Sequence, residues 1–180
     1  MPSAQSRISR GTTAVRLIPM DCDGILQRID RPRELETLLG VQVGEFAKMI
    51  GDVAAQTAAL YERLPRDPPW IGYVTADYVT NQVIGVCGFK NAPANGTVEI
   101  AYSTFPPFEN RGFATAMAVE MVAIARSFPN IRAVIAHTLP QPNASTHVLR
   151  KNGFCNTGEV IDPEDGPVWR WELDVFGSAV

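Results

Sequence analysis

Residues 97–125 (TVEIAYSTFPPFENRGFATAMAVEMVAIA) constrain the fold most, because a predicted strand runs through a proline bend and a glycine loop into a long apolar helix. The first turn of a helix leaves backbone N–H groups unpaired at the positive end of the helix dipole, where an anion can bind. Gly112 and Ala114 keep this turn slim, and Arg111 adds a fixed positive charge suited to phosphate. The loop is therefore a candidate pyrophosphate-binding site.

The loop alone does not define a function, because any tight turn from a strand into a helix favours a glycine or another small residue. The sequence contains neither the dinucleotide-binding pattern G-x-G-x-x-G nor the P-loop pattern G-x-x-x-x-G-K-[ST]. The segments on either side of the loop therefore decide the interpretation.

Three predicted strands precede the loop and are joined by short links. Trp70–Ala76 and Gln82–Phe89 are separated by a short polar turn, and the turn pair Asn95-Gly96 leads into Thr97–Ser103. Links of this length require antiparallel pairing, whereas a doubly wound nucleotide-binding sheet needs crossover helices. A Rossmann-type fold is therefore disfavoured.

The remaining segments complete a mixed α/β (α+β) pattern. The helix after the glycine loop can act as a right-handed crossover, which makes the strands on its two sides parallel. The order is β, α, α, β, β, β, α, β, α, β, β, which predicts a mostly antiparallel sheet of about seven strands with one parallel pair and about four helices. Bounds are predicted for three other strands, Ala14–Pro19, Arg132–Thr138 and Val168–Val175. The predicted helices span 30–39, with Asp30 as its cap and Gly40 at its end, Gly44–Leu64, Arg111–Ser127 and Ala144–Asn152.

Composition indicates one globular domain over residues 1–180, with residues 1–11 as a loose polar tail. The chain has 180 residues and is 46% hydrophobic, which is enough for a proper core. Sixteen basic and nineteen acidic side chains give a net charge of −3, and no run of Lys or Arg provides a footprint for nucleic acid. We therefore expect no nucleic-acid partner.

Other classes are disfavoured by what the sequence lacks. The longest nearly apolar stretch, Ala116–Ala125, is too short to span a bilayer and contains Glu120, so no membrane association is expected. The three cysteines are scattered, with no CxxC pair, and are expected to be reduced thiols in a cytoplasmic protein, with Cys155 in the core. Two histidines and no Cys/His cluster predict no metal site.

Three motifs in sequence order give a resemblance to a known family. V-E-I-A-Y, R-G-F-A-T and V-L-R-K-N-G-F, together with the element order, resemble the GNAT acyltransferase superfamily, and most closely its branch of ribosomal-protein N-terminal acetyltransferases. The resemblance runs from about Leu17 to Leu173. It implies acetyl-CoA as cosubstrate and a parallel strand pair that splays apart to admit the pantetheine arm.

The resemblance also implies which residues contact the cofactor. The family's Q/R-x-x-G-x-G/A loop maps onto Glu109, Gly112 and Ala114, and Glu109 departs from the pattern because an acid near a pyrophosphate is unfavourable. Main-chain groups of Ser103–Phe105 are expected along the pantetheine arm. The implied cofactor-binding residues of the loop are Asn110, Arg111, Gly112, Phe113, Ala114 and Thr115.

Glu99, in the middle of V-E-I-A-Y, is the candidate general base. Acetylation of an amine needs a group that takes the amine proton, directly or through water. The alternative is that Glu99 faces solvent or pairs with a nearby Arg. His137, at the end of a strand near the same gap, is a second candidate base, although a structural role is commoner for such a histidine.

The proton donor is implied less directly. Many members of the superfamily use a Tyr on the later helix, and the matching position here is Leu149. Ser145 lies one helical turn earlier on the same face, and the resemblance implies that its hydroxyl acts as the acid or stabilises the sulfur. Asn143 is an implied cofactor contact, although the family's usual Asn falls at Pro142. Capping of the helix is the alternative role for both Asn143 and Ser145.

The resemblance implies an N-acetyltransferase that acts by direct attack in a ternary complex on a small-molecule or peptide amine, with no metal. The alternative is a non-catalytic acyl-CoA sensor or interaction module, which the missing helix Tyr keeps open. A homodimer also stays open. An acceptor pocket could be lined by strand aromatics, namely Trp70, Tyr73, Trp169 and Trp171, although strand aromatics more commonly lie in the core or on the sheet surface.

Overall fold

A computed structural model describes residues 13–64, 66–163 and 165–177 of the chain. The mixed α/β class is confirmed, with five helices where about four were expected. The strands are β1 (Val15–Pro19), β2 (Gly72–Asp77), β3 (Val83–Phe89), β4 (Thr97–Thr104), β5 (Ala133–Thr138), β6 (Cys155–Asp162) and β7 (Gly166–Asp174). The helices are α1 (Cys22–Leu26), α2 (Pro32–Leu39), α3 (Ala47–Arg63), α4 (Phe113–Arg126) and α5 (Ala144–Lys151), and 3₁₀ turns lie at Gly44–Phe46 and Pro106–Phe108.

The described strands form one sheet in the order β1-β2-β3-β4-β5-β7-β6. The pair β4–β5 is parallel and the other neighbouring pairs are antiparallel, as predicted. The turn residues explain the tight links, since Asn81, Asn95 and Gly96 have φ values of 58°, 52° and 76°, in the left-handed region that hairpin turns require.

The helix boundaries differ from prediction in instructive ways. Asp30 does not cap α2, because Pro32 starts the helix and Arg31 occupies the cap position. Helix α3 is preceded by a 3₁₀ turn and becomes α-helical only at Ala47. Helix α1 was not predicted, since five residues are too few to show a helical period. Its cap is Asp21, whose carboxylate accepts from the Gly24 N–H at 3.0 Å.

The core lies between the sheet and the helices, and α4 contributes its central part. Met117, Ala118, Met121 and Ala125 are fully buried on this helix. Helix α4 packs against β4 and α5, so the core fixes the position of its N-terminal turn beside the end of β4. Residues 1–11, predicted to be a loose tail, lie outside the described residues.

Candidate active site

The glycine loop and the start of α4 form the predicted anion-binding turn. Gly112 caps the helix with φ +84°, and Asn110 also has a positive φ of 58°, so the chain folds back tightly before the helix. The first α-helical hydrogen bond runs from the Ala116 N–H to the Gly112 carbonyl at 3.0 Å. The backbone N–H groups between Gly112 and Ala116 therefore have no hydrogen-bond partner within the helix.

The Arg111 side chain is held beside this turn by aromatic rings. Its guanidinium carbon lies 5.6 Å from the centre of the Phe108 ring and 5.3 Å from that of the Phe113 ring. Both distances allow cation–π attraction. Thr13 Oγ1 donates to the Arg111 carbonyl at 3.1 Å and secures the loop backbone. The positive charge is thus placed next to the open helix terminus.

A groove of about 590 Å³ runs from this turn along β4 to the start of α5. Most predicted cofactor residues line it: Ser103, Asn110, Gly112, Phe113, Ala114 and Thr115, together with Glu109 and the catalytic candidate Ser145. Phe105, Arg111 and Asn143 lie outside its lining. Phe105 is 2% exposed in the core and stacks on Phe46 with ring centres 5.0 Å apart. These cofactor roles stay predictions.

Strands β4 and β5 separate beside this groove. Their register covers only three pairs, from Thr97 with Ala133 to Glu99 with Ile135, whereas β4 remains paired with β3 as far as Thr104. Beyond Glu99, the β5-facing edge of β4 is therefore open. The predicted splay of the parallel pair is seen in this short register.

The backbone alternation of β4 identifies which groups face the gap. The Glu99 carbonyl accepts from the Lys90 N–H at 2.8 Å, and the Phe105 N–H donates to the Ile84 carbonyl at 2.8 Å, so odd-numbered residues face β3. Successive residues of a strand direct their backbone groups to opposite edges. The main-chain groups of Tyr102 and Thr104 therefore face the gap, on either side of the predicted Ser103.

Asn143 and Ser145 begin helix α5. The Asn143 carboxamide oxygen accepts from the Thr146 N–H at 3.0 Å, and Thr146 Oγ1 accepts from the Asn143 N–H at 3.0 Å. Asn143 is thus the N-cap in a reciprocal capping arrangement. Ser145 does not cap the helix. Its hydroxyl makes no hydrogen bond to another described residue and lies at the groove.

Glu99 is buried, at 8% exposure, and is held by two basic side chains. Its Oε1 lies 2.9 Å from His137 Nδ1 and 3.2 Å from Lys90 Nζ. Burial opposes the charge on Lys90, but neighbouring carboxylates, Glu99 foremost, raise the pKa of this lysine above its ordinary value. The two candidate bases named from sequence, Glu99 and His137, are therefore direct neighbours, and Glu99 does not face solvent.

A second cavity, of about 310 Å³, contains this cluster. Glu99, His137 and Lys90 line it together with Tyr102 and Ser145. Tyr102 and Ser145 also line the groove, so the two spaces meet at these two side chains. Two molecules bound in the groove and in the cavity can therefore approach each other there.

Sequence reasoning missed two residues of the site, Lys90 beside Glu99 and Tyr102. The Tyr102 hydroxyl donates to the Ser145 carbonyl at 3.4 Å, and burial raises the pKa of this phenol, so it keeps its proton at neutral pH. The helix position where many superfamily members carry a Tyr holds Leu149, which is fully buried. The sequence signal for Tyr102 was its position at the end of V-E-I-A-Y. Because side chains alternate along a strand, Tyr102 and Glu99 are expected on opposite faces of the sheet, so the motif alone did not place them in one site.

Of the two roles left open for the strand aromatics, the core role is confirmed. Trp70, Tyr73 and Trp171 are buried, and Trp169 packs against the core. Trp70 packs edge-on to Phe89 with ring centres 5.0 Å apart, and Trp171 donates to Thr138 Oγ1 at 3.0 Å. Cys155 was expected in the core, but it is exposed because β6, which it begins, is the last strand at one edge of the sheet.

Within 13–64, 66–163 and 165–177, no three His, Cys, Asp or Glu side chains are grouped as metal ligands would be. None of the helices in that part of the chain is both long and apolar enough to cross a membrane.

The sheet order, the short parallel register and the glycine loop before α4 together are typical of GNAT acyltransferases. A family model described as "Acetyltransferase (GNAT) domain" matches residues 25–155. The chain therefore belongs to the GNAT acetyltransferase family and is an enzyme of that class. No curated protein matches the sequence.

Solved structures support the fold over nearly the whole chain. One similar structure is RimL, a ribosomal L7/L12 α-N-protein acetyltransferase in complex with coenzyme A, with 16% identity, 91% of this chain and 95% of that chain covered, and a TM-score of 0.61. Another is a spermidine N-acetyltransferase chimera from Vibrio cholerae and hSSAT, with 14% identity, 91% and 97% coverage, and a TM-score of 0.61. A third is the aminoglycoside acetyltransferase AAC(6')-Ib in complex with coenzyme A, with 16% identity, 91% and 95% coverage, and a TM-score of 0.60.

Proposed function

We propose that this protein transfers an acetyl group from acetyl-CoA to a primary amine, on a small molecule or a peptide N-terminus, by direct attack in a ternary complex. The observation that carries the proposal is the meeting of the groove with the Glu99 cavity at Tyr102 and Ser145. Both reactants can then be bound at once, with the reacting atoms at the junction. Holding two reactants together in this way accounts for a large part of an enzymatic rate enhancement.

The residues of the groove fit acetyl-CoA, which supplies an acetyl group on a thioester. The open N–H groups after Gly112 suit the pyrophosphate, and Arg111 adds positive charge nearby. Glu109 is exposed and can turn its carboxylate to solvent. The open backbone groups of Tyr102 and Thr104 suit the amides of a pantetheine arm, and an N–H on this edge can also stabilise charge on the carbonyl oxygen.

Glu99 takes the amine proton in the proposed mechanism. The carboxylate accepts the proton from the amine nitrogen, and the nitrogen lone pair then forms the new C–N bond. His137 and Lys90 hold the carboxylate in place through their contacts with its Oε1. General base catalysis of this kind typically contributes about 10²–10⁴-fold in rate.

Ser145 and Tyr102 supply the proton on the other side of the reaction. The C–S bond breaks as the C–N bond forms, and the departing thiolate needs a proton or a strong hydrogen bond. The Ser145 hydroxyl is free to donate, and the protonated Tyr102 hydroxyl lies 3.4 Å from the Ser145 carbonyl, to which it donates before substrate binds. The strand tyrosine thus offers a phenol at the junction although Leu149 replaces the usual helix Tyr.

Binding and turnover are tested separately. We expect acetyl-CoA, but not NAD or ATP, to raise the unfolding temperature, and we expect free thiol to be released when an amine is added. An acyl-CoA sensor, the alternative that Leu149 favours, would show the thermal shift without amine-dependent thiol release. No shift at saturating acetyl-CoA would refute both functions.

Location and partners complete the proposal. We place the protein in the cytoplasm, without a nucleic-acid, membrane or metal partner. The described cysteines are unpaired thiols, in keeping with a reducing compartment. A homodimer is compatible with the fold and is tested by light scattering.

A further inference from the structure

We infer that the acceptor carries its amine on a compact apolar group and has no second positive charge. The inference rests on the proposed function and names the substrate class of that same site. It comes from a third cavity, of about 240 Å³, which we call the apolar pocket. The pocket lies between α3 and the sheet, on the far side of Tyr102 from most of the groove.

The apolar pocket opens onto the reacting centre. Lys90, Ala101 and Tyr102 line both the apolar pocket and the Glu99 cavity. Ser103 lines both the apolar pocket and the groove. An acceptor whose nitrogen lies beside Glu99 can therefore place the rest of its body in the pocket.

The pocket wall is mainly hydrocarbon. Helix α3 contributes Val53, Thr57 and Leu60, the sheet contributes Val86, and the chain after β1 contributes Met20. The volume exceeds the roughly 150 Å³ in which an apolar protein cavity binds benzene, and falls below the roughly 300 Å³ at which sites for drug-sized ligands begin. One aromatic ring or branched alkyl group fits, and burying it is favourable in proportion to its apolar area.

Gly72 keeps this space open. A Cβ at Gly72 would lie 3.5 Å from both Thr57 Cγ2 and Tyr61 Oη, which is ordinary contact, so packing alone does not require glycine. The methyl group would instead occupy the pocket. Gly88 differs, because its Cβ would come within 2.8 Å of the Gly72 Cα and the strands need it for close approach.

The charges around the pocket disfavour a polycation. The Arg66 guanidinium donates to the carbonyls of Phe89 and Lys90 and has no carboxylate partner among the described residues. No Asp or Glu belongs to the described lining. The acids that raise the pKa of the pocket residue Lys90 are Glu99, which the reacting amine itself would use, Asp162 and Asp165. Asp165 lines the Glu99 cavity and not the apolar pocket. A second ammonium on the acceptor would therefore meet Arg66 without a counter-charge.

The first test measures kcat/KM for three amines by thiol release: 2-phenylethylamine, ethylamine and spermidine. We expect 2-phenylethylamine to exceed both others by at least about tenfold, since a single methylene in an apolar pocket is worth about 10–200-fold. Equal or higher kcat/KM for spermidine would overturn the inference while leaving the proposed function intact. Transfer to none of the amines, with thermal stabilisation by acetyl-CoA retained, would overturn the proposed function and the inference with it.

The second test narrows the pocket. Gly72→Ala should lower the ratio of kcat/KM for 2-phenylethylamine over ethylamine by at least about tenfold. Gly177→Ala is the matched control, because a Cβ there also meets no close atom and lies outside the pocket, and it should keep the wild-type ratio. An unchanged ratio in Gly72→Ala, with the acetyl-CoA thermal shift preserved, would show that the acceptor body does not enter the pocket.

Discussion

Replacing Glu99 by glutamine tests the proposed base directly. In the wild-type protein, Glu99 Oε1 lies 2.9 Å from His137 Nδ1. Glutamine keeps the size of the side chain and an oxygen that can accept this hydrogen bond, but it cannot take the amine proton. We expect kcat/KM to fall by about 10²–10⁴-fold. This loss corresponds to about 2.7–5.4 kcal/mol of transition-state stabilisation, at 1.36 kcal/mol per factor of ten.

The fold should tolerate this change. Lys90, which loses its charged partner, is 41% exposed at the side chain and can turn its ammonium to solvent. The free energy of unfolding should therefore fall by less than about 1 kcal/mol. A loss of activity with a near-normal unfolding curve would separate chemistry from stability.

The assay combines thiol release at several amine concentrations with acetyl-CoA binding measured by thermal shift. Glu172→Gln is the matched control, because Glu172 lies on β7 in an ion pair with Arg170 and lines neither the groove nor the Glu99 cavity. A Glu99→Gln variant that binds acetyl-CoA and retains kcat/KM within a fewfold of wild type would refute the assignment. The proton would then leave through His137 or through water alone.

Three further predictions address the cofactor turn, the phenol and the buried thiol. Acetyl-CoA at about 100 times its dissociation constant should raise the wild-type unfolding temperature by roughly 5–10 °C. Gly112→Asp should abolish this rise. The control Gly166→Asp, at another glycine with a positive φ (+73°), should keep it. Tyr102→Phe should lower kcat by about 10²-fold, the low end for a proton donor because Ser145 remains, with Tyr73→Phe unaffected in the same steady-state assay. Burial raises the pKa of the Cys87 thiol to about 12, from 9.0 for an exposed thiol, so between pH 9.0 and about 12 the folded state keeps a proton that the unfolded state loses. In urea denaturation, the free energy of unfolding should therefore fall by up to about 1.4 kcal/mol per pH unit over this range. Cys87→Ala should flatten that slope.

The local features of the fold were predictable because short-range chemistry determines them. The turns at Asn81 and Asn95-Gly96 have the positive φ values that their residue types favour, and the predicted glycine loop before α4 has Gly112 in the left-handed conformation. Helix α2 ends at Gly40, with φ +67°, as predicted. Each of these depends on a few consecutive residues, which the sequence displays directly.

The arrangement of side chains at the site was not predictable in the same way. Glu99 meets His137 because the parallel register pairs Glu99 with Ile135, and His137 lies two residues further along on the same face. Register between distant strands has no short sequence code. Tyr102 reaches the junction only because β4 and β5 part after Glu99, and that separation depends on the whole sheet.

The apolar pocket and the groove, which meet at Tyr102, are built by different stretches of the chain. The residues around the apolar pocket lie between Met20 and Ser103, whereas those around the groove lie between Tyr102 and Lys151. Mutations in the first stretch can therefore reshape the apolar pocket while the groove keeps its shape. The fold is modular in this respect. Exchanging the N-terminal half between relatives would replace the apolar pocket and keep the groove, which is a direct route to hybrid enzymes with altered acceptor choice.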